Sequence, residues 1–95
     1  EIDSGISGAI ARKTGQTMLE LSESHQVIAI THLPQIASLS TSHISVSKYT
    51  DAGRTFVRVA ALGATDKERE VARLLSGDSI TEATLESARE LIAGR

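Results

Sequence analysis

The sequence feature that most restricts the fold is an unbroken run of four apolar residues at positions 27–30, which is followed by Thr31 and His32. A run of this length is typical of a β-strand that is buried on both faces, as in parallel sheets that are covered by helices. It therefore predicts an α/β fold with a short parallel strand at residues 27–31. It also places a hydroxyl and an imidazole at the end of that strand.

The first eight residues place a carboxylate, Glu1, before a loop rich in serine and glycine, and a helical pattern begins at Gly8. Glycine lets backbone N–H groups approach an anion closely, and a helix N-terminus carries partial positive charge. With Ile2 as the stub of a first strand, Glu1 and His32 are expected at the same edge of the sheet, where ligands of open α/β sheets bind. Taken alone, such a loop is more typical of an ordinary turn or cap.

Helical spacing of apolar residues predicts a helix from Gly8 to about His25, with Ser7 as its N-cap. Gly15 inside this helix costs about 1 kcal/mol relative to alanine. Either a neighbour packs closely there or the helix is weakened, and we favour close packing. A second, short helix is expected to begin at Pro34, because proline suits the first turn of a helix.

Residues 43–50 and 55–62 alternate between apolar and polar side chains, which predicts an antiparallel hairpin that extends the edge of the sheet. The residues between the strands, Asp51-Ala52-Gly53, have the composition of a hairpin loop with glycine in the left-handed conformation.

Two helices are predicted after the hairpin. Thr65 or Asp66 is expected to cap the first helix, and the second is expected to run from Thr81, without a full capping box, to Gly94. The side chains expected to face the core are Val71, Leu74, Leu75, Leu85, Ala88, Leu91 and Ile92.

The composition limits what the chain can be. Ninety-five residues form at most one small domain, and one Phe, one Tyr and no Trp leave few large side chains for a core. We therefore expect a lobe that buries surface against a partner. The net charge of −2 provides no general attraction to nucleic acid, so any DNA contact must be local or made by other parts of the protein.

Several chemistries are excluded or disfavoured. The absence of cysteine excludes disulfides, thiol nucleophiles and cysteine-based zinc sites, and three scattered histidines do not indicate a metal site. His25 and His43 are expected to be surface or loop residues. Since no stretch approaches about 18 apolar residues and no signal-peptide pattern is present, we expect a cytoplasmic protein without a membrane partner.

The two segments described first resemble the ABC-type ATPases. Residues 1–8 are similar to the segment that follows their Walker B aspartate, and Thr31 and His32 are similar to the position of their switch histidine. The sequences of residues 1–8 and 31–37 most resemble a bacterial DNA-repair branch of this family, which is related to the structural maintenance of chromosomes ATPases. The resemblance continues through residues 51–54 and 71–77 and covers nearly the whole chain.

This resemblance implies a role for each candidate site residue. Glu1 would polarise the water that attacks the γ-phosphate, and His32 would donate a hydrogen bond to a γ-phosphate oxygen. Ser4, Gly5 and Ser7 would belong to the loop that crosses between two ATPase heads and touches the opposite nucleotide. The wider family has aspartate where this chain has Ser7, and the DNA-repair branch shares the serine. The contact that this position makes with the second head is therefore left open.

The same resemblance implies that residues 1–95 form the C-terminal lobe of a P-loop ATPase head, without the Walker A loop, the Walker B aspartate or the signature motif. ATP and Mg²⁺ would bind to the complete head, and neither would bind tightly to this lobe, which is expected to be inactive alone. Its partners would be the N-terminal half of the same head, a second head in a homodimer, and DNA through the full-length protein. The implied role is DNA double-strand break repair and recombination at the nucleoid.

One alternative hypothesis is a non-catalytic interaction module whose exposed sheet edge pairs with another protein. A transporter-type ABC ATPase is disfavoured, because transporters usually have proline and threonine directly after the glutamate, where this chain has Ile2 and Asp3. Lys48, Arg54 and Arg58 on the hairpin could contact phosphates, although protection of an edge strand by positive charge is the simpler explanation.

Overall fold

The computed structural model describes residues 7–77 and 79–94. Within these residues the chain forms helices and one antiparallel hairpin, which confirms a mixed α and β fold. In chain order the elements are α1 (Gly8–Leu21), α2 (Pro34–Ala37), β1 (Ile44–Asp51), β2 (Arg54–Ala61), α3 (Ala64–Ser76) and α4 (Glu82–Ala93).

The short helix α2 packs across α1, and Gly15 allows the close approach. Gly15 is buried, and a β-carbon at this position would lie 2.6 Å from Cδ1 of Leu39, which follows α2. Ile36 and Leu39 are buried in the same contact. Close packing at Gly15 is thus confirmed, while α1 ends four residues before His25 and gives way to a turn.

The second packed unit is the pair α3 and α4. Val71, Ala72 and Ala88 have no exposed surface, and partly buried apolar side chains surround them: Ile80, Leu85, Leu91 and Ile92. The two alanines let the helices approach closely, and Nε of Arg89 on α4 donates to Oε1 of Glu68 on α3 at 3.1 Å. The inward orientation predicted for Leu75 is wrong, because this side chain lies on the outer side of α3 and is exposed.

Both caps of these helices differ from the prediction. The N-cap of α3 is Gly63, two residues before Thr65 and three before Asp66, so Asp66 falls in the first turn, where its charge interacts favourably with the helix dipole. α4 begins after Thr81 as predicted, but with a complete capping box. Thr84 replaces the usual acid: its hydroxyl accepts from the N–H of Thr81, and the Thr81 hydroxyl accepts from the N–H of Thr84.

The hairpin forms as predicted. β1 and β2 pair antiparallel from Ile44 opposite Ala61 to Asp51 opposite Arg54. The loop consists of Ala52 and Gly53, with φ of 51° and 77°. Two positive φ angles characterise the turn that matches the twist of a hairpin, and they put a non-glycine residue in the left-handed region. Among the described residues the hairpin is a separate two-stranded sheet, so the larger sheet that it was expected to extend is not formed there.

The predicted strand at residues 27–31 is also not formed. This segment has no helix or strand, and Ile28 and Ile30 are 83% and 73% exposed. A strand buried on both faces needs neighbouring strands and a covering layer, and β1 and β2 pair only with each other. The apolar run therefore lies on the surface. Within the described part of the chain, no helix has both the length and the apolarity needed to cross a bilayer.

Candidate functional site

The candidate site residues fall into two groups. Glu1, Ser4 and Gly5 lie outside the described residues. Ser7 and His32 lie within them. Ser7 directly precedes α1, and His32 lies between the apolar run and α2, which contacts α1.

Ser7 occupies the N-cap position of α1. Its backbone is extended, with φ of −81° and ψ of 167°, and its carbonyl oxygen accepts from the N–H of Ala11 at 2.8 Å. The hydroxyl makes no capping bond to the helix, and the residue is exposed. The predicted N-cap position is therefore correct, but the side chain is not used for capping.

His32 is exposed and lies within a small local turn. The hydroxyl of Thr31 accepts from the N–H of Leu33 at 3.0 Å, which fixes the direction of the chain on both sides of the imidazole. His32 lines an open cleft of about 980 Å³, whose other walls come from α1, α2, β1 and α3. An imidazole in this setting can reach a ligand that enters the cleft.

Gln35 links the two segments and was not identified from the sequence. Its Nε2 lies 3.3 Å from the point where a β-carbon on Gly8 would be, so the absence of a side chain at Gly8 leaves space for the amide. Its Oε1 is buried and has no hydrogen-bond partner among the described residues. Because Gly8 follows Ser7 and Gln35 is three residues after His32, this contact brings the predicted inter-head loop close to the predicted switch segment.

The sequence contains little that could have revealed this contact. A glutamine in the first turn of a short helix is ordinary, and Gly8 has the composition of a loop end. Only the position of α2 across α1, which is a tertiary feature, brings the two residues together.

The other two histidines differ from each other. His25 is exposed in the turn after α1, with Nδ1 2.9 Å from the hydroxyl of Ser24, as expected for a surface residue. His43 precedes β1, as expected for a loop residue, but it is partly buried. Burial lowers its pKa from 6.5, the positive charge of Lys67 lowers it further, and Glu70 acts in the opposite direction.

His43 lines a second, smaller cleft of about 560 Å³ between the base of the hairpin and helices α3 and α4. Its carbonyl oxygen accepts from the N–H of Leu62 at 2.9 Å, and its buried Nδ1 has no partner among the described residues. No group of three metal-ligating side chains occurs in the part of the chain that the structure describes. The geometry therefore assigns His43 to the joint between the hairpin and α3.

One face of the hairpin and the apolar run together form an exposed apolar surface. In the register of β1 and β2, Val46 lies opposite Val59, so alternate residues along both strands share that face. We define the exposed apolar surface by its large side chains: Ile28, Ile30, Ile44, Val46, Val57 and Val59. The first four of these also line the larger cleft beside His32.

Comparisons with known proteins place this chain among bacterial DNA repair proteins. No family model matches it. It is 45% identical over 92 residues to the DNA repair protein RecN of Rickettsia bellii and 44% identical over 92 residues to that of Vibrio cholerae; each match covers 97% of this chain and 17% of the relative. It is 43% identical over 94 residues to RecN of Deinococcus radiodurans, covering 99% of this chain and 16% of that relative. The chain thus spans about one sixth of the length of the curated relatives it matches.

Proposed function

This chain belongs to the RecN family, in which it corresponds to the C-terminal part of the protein, and from that premise we propose that it is the C-terminal lobe of an ATP-hydrolysing head that acts in DNA double-strand break repair and recombination. The observation that carries the proposal is 43–45% identity to proteins named for DNA repair over nearly the entire chain. The same proposal implies a cytoplasmic protein at the nucleoid.

In this proposal each candidate residue has a separate task. Glu1 accepts a proton from the attacking water, a task that suits a carboxylate within hydrogen-bond reach. His32 donates to a terminal phosphate oxygen, which is supported by its exposed imidazole at the cleft. Ser4, Gly5 and Ser7 contact the nucleotide of a second head, and that role is supported by the Ser7 hydroxyl, which makes no capping bond to α1.

ATP and Mg²⁺ fit this lobe only in part. The described residues offer an imidazole and hydroxyl groups to a phosphate, but no metal-ligating cluster among residues 7–77 and 79–94 could hold the cation. When bound to the complete head, the nucleotide supplies the phosphoryl group and the metal neutralises its charge. This lobe orients the water and contacts the terminal phosphate, while the remaining groups must come from the rest of the protein.

The first partner in this proposal is the N-terminal half of the same head. The exposed apolar surface supports this assignment. Its apolar side chains lie on both the run at 27–30 and the adjacent hairpin face, and leaving them in water is costly. The relatives are about six times longer than this chain, so most of each protein is available to cover that surface. Pairing with strands from that half would convert residues 27–31 into a buried strand.

The test of catalysis uses the complete protein that contains this segment. Glu1→Gln is expected to reduce ATP hydrolysis by about 10²- to 10⁴-fold, the range for loss of a general base, while ATP binding is retained. His32→Ala should also reduce turnover, and His25→Ala, a replacement in an exposed turn, should not. Turnover that is unchanged by Glu1→Gln would refute the catalytic assignment.

The alternative, a non-catalytic interaction module, is favoured by the same exposed apolar surface. Adding the N-terminal half of the protein to this chain separates the two hypotheses. If the chain completes an ATPase head, the mixture should bind and hydrolyse ATP, and Ile28→Asp with Ile30→Asp should abolish both assembly and hydrolysis. If the two parts assemble but never hydrolyse ATP, the interaction module is correct.

A further inference from the structure

The only two aromatic residues of the chain stand side by side near the turn of the hairpin. Tyr49 lies directly opposite Phe56 in the register of the two strands. Their ring centroids are 5.4 Å apart, and the ring planes differ by 21°, so the rings are stacked. The guanidinium carbon of Arg58 lies 5.2 Å from the centroid of the Tyr49 ring. Both rings nevertheless remain exposed, at 44% and 39%.

The charges around the two rings are mainly positive. Arg54 and Arg58 share the face of the rings with one acid, Asp51, while the third cation of the hairpin, Lys48, lies on the opposite face. Residues 44–61 together carry a net charge of +2 within a chain of −2. No ion pair in the described residues involves these three cations. By contrast, Arg73 pairs with Glu70 in α3, and Arg89 with Glu68 between α3 and α4.

Neither simpler explanation accounts for both observations. A cross-strand aromatic pair contributes to hairpin stability, but this contribution does not require two arginines without ion pairs on the same face. Positive charge protects an exposed strand edge, but exposed aromatic rings beside it work against that protection. Stacked, solvent-accessible rings with unpaired arginines are the combination that binds single-stranded nucleic acid, because bases stack on the rings and cations meet the phosphates.

We propose that the hairpin tip, defined as Tyr49, Arg54, Phe56 and Arg58, is a contact surface for single-stranded DNA. An unpaired base stacks on the exposed part of the ring pair, and the two arginines contact the phosphates on either side of it. Duplex DNA is a poorer ligand, since its bases are already stacked on one another. DNA as the ligand rests on the proposed function in DNA repair, whereas the stacking site rests on the hairpin geometry.

The tip and the exposed apolar surface lie on opposite faces of the hairpin. Val57 is paired with Lys48, while its neighbour Phe56 is paired with Tyr49, and successive residues of a strand point to opposite sides. The hairpin can therefore bind protein with one face and DNA with the other.

The experiment measures binding of a fluorescein-labelled 20-nucleotide oligothymidine to the complete protein by anisotropy, at salt concentrations from 50 to 200 mM. Phe56→Leu and Tyr49→Leu should each raise Kd about 5- to 20-fold, because leucine keeps apolar volume but removes the ring face. Tyr49→Phe and Phe56→Trp keep a ring and should remain within about twofold of the wild-type Kd.

Charge is tested separately. Arg58→Ala should weaken binding and reduce the slope of log K against log salt by about 0.7, the value for one phosphate contact to a single strand. Arg69→Ala removes the same charge from the exposed side of α3 and serves as the matched control, with no change in Kd. Far-UV circular dichroism of each variant checks that the fold is kept.

Three outcomes would overturn the inference. The first is an unchanged Kd in both leucine variants, and the second is equal binding of a 20-base-pair duplex with the same dependence on the rings. The third is weaker association between heads with an unchanged Kd, which would make the tip a protein contact. ATP hydrolysis without DNA should be normal in all hairpin variants. A failure of this inference is thus distinct from a failure of the proposed function, which depends on Glu1.

Discussion

Two regions of the molecule differ in how far they bury the same kinds of apolar residue. One is the helical part, and the other is the surface formed by residues 27–30 and the hairpin. In the helices, Val71 and Ala72 have no exposed surface, and Ile36 retains only 5%. On the other surface, Ile28 and Val46 are more than two thirds exposed. The difference shows that burial depends on whether the described residues supply a covering element, and not on side-chain type alone.

Replacing one isoleucine in each region should give the largest contrast. In this chain, Ile36→Ala should reduce the free energy of unfolding by about 2–5 kcal/mol, because it opens a cavity between α1 and α2. Ile28→Ala should change it by less than about 0.5 kcal/mol, as for an exposed residue. Urea unfolding followed by far-UV circular dichroism measures both.

The contrast can be sharpened in the complete protein, where the apolar run has its proposed cover. There Ile28→Ala should become destabilising by a similar amount to Ile36→Ala. If Ile28→Ala has an equally small effect on stability in this chain and in the complete protein, the run stays exposed in both. The proposed docking of the N-terminal half would then be wrong.

The contact between α1 and α2 provides the next test. Gly15→Val should destabilise the chain by about 1–3 kcal/mol, because a β-carbon there already overlaps with Leu39 and valine adds two methyl groups. Leu39→Ala removes the methyl group that overlaps with the new β-carbon. The loss of unfolding free energy in the double variant should therefore be smaller than the sum of the losses in the two single variants. Additive losses would mean that the overlap is relieved elsewhere.

The elements predicted correctly from the sequence are those set by local chemistry. The predicted hairpin strands differ from the observed ones by one residue at each end, because alternation and the Ala52-Gly53 loop act over short distances. Proline at the start of α2 and glycine after α4 marked helix ends in the same way. Close packing at Gly15 could be predicted because a glycine inside an amphipathic helix has few physical explanations.

The features that could not be predicted depend on residues far apart in the sequence. Residues 27–31 have the composition of a buried strand, but a strand needs hydrogen-bonding neighbours, and these are not among the described residues. The contact between Gln35 and Gly8 depends on how α2 lies on α1. Of the candidate site, His32 and Ser7 are placed by the structure, and the convergence of Glu1 with His32 remains a prediction.

A smaller effect is expected at the start of α4, where the helical part is stabilised by local bonds alone. Thr81→Ala should reduce the free energy of unfolding by about 1 kcal/mol, because the N–H of Thr84 loses its acceptor. Thr81→Ser keeps the hydroxyl and should be close to neutral. The two variants can be compared by thermal unfolding, and an equal loss in both would show that the capping box is not what stabilises this end.

The smallest effect concerns His43, which lies where the hairpin joins the helical part. Because burial lowers its pKa in the folded chain, the folded state favours the neutral imidazole and the unfolded state binds a proton more readily. Stability from this residue is therefore complete above the unfolded pKa of about 6.5 and decreases as the pH falls towards the lowered folded pKa.

His43→Gln removes this titration, so the difference in unfolding free energy between wild type and variant should become smaller from pH 7 to pH 5. Lys67 and Glu70 on α3 are the charged groups that act on His43, and Lys67→Met should weaken the pH dependence by removing one of the two causes of the lowered pKa. His25→Gln in the exposed turn is the control. If the pH dependence persists in His43→Gln, the joint between hairpin and helices does not respond to protonation, and the two regions are coupled only by packing.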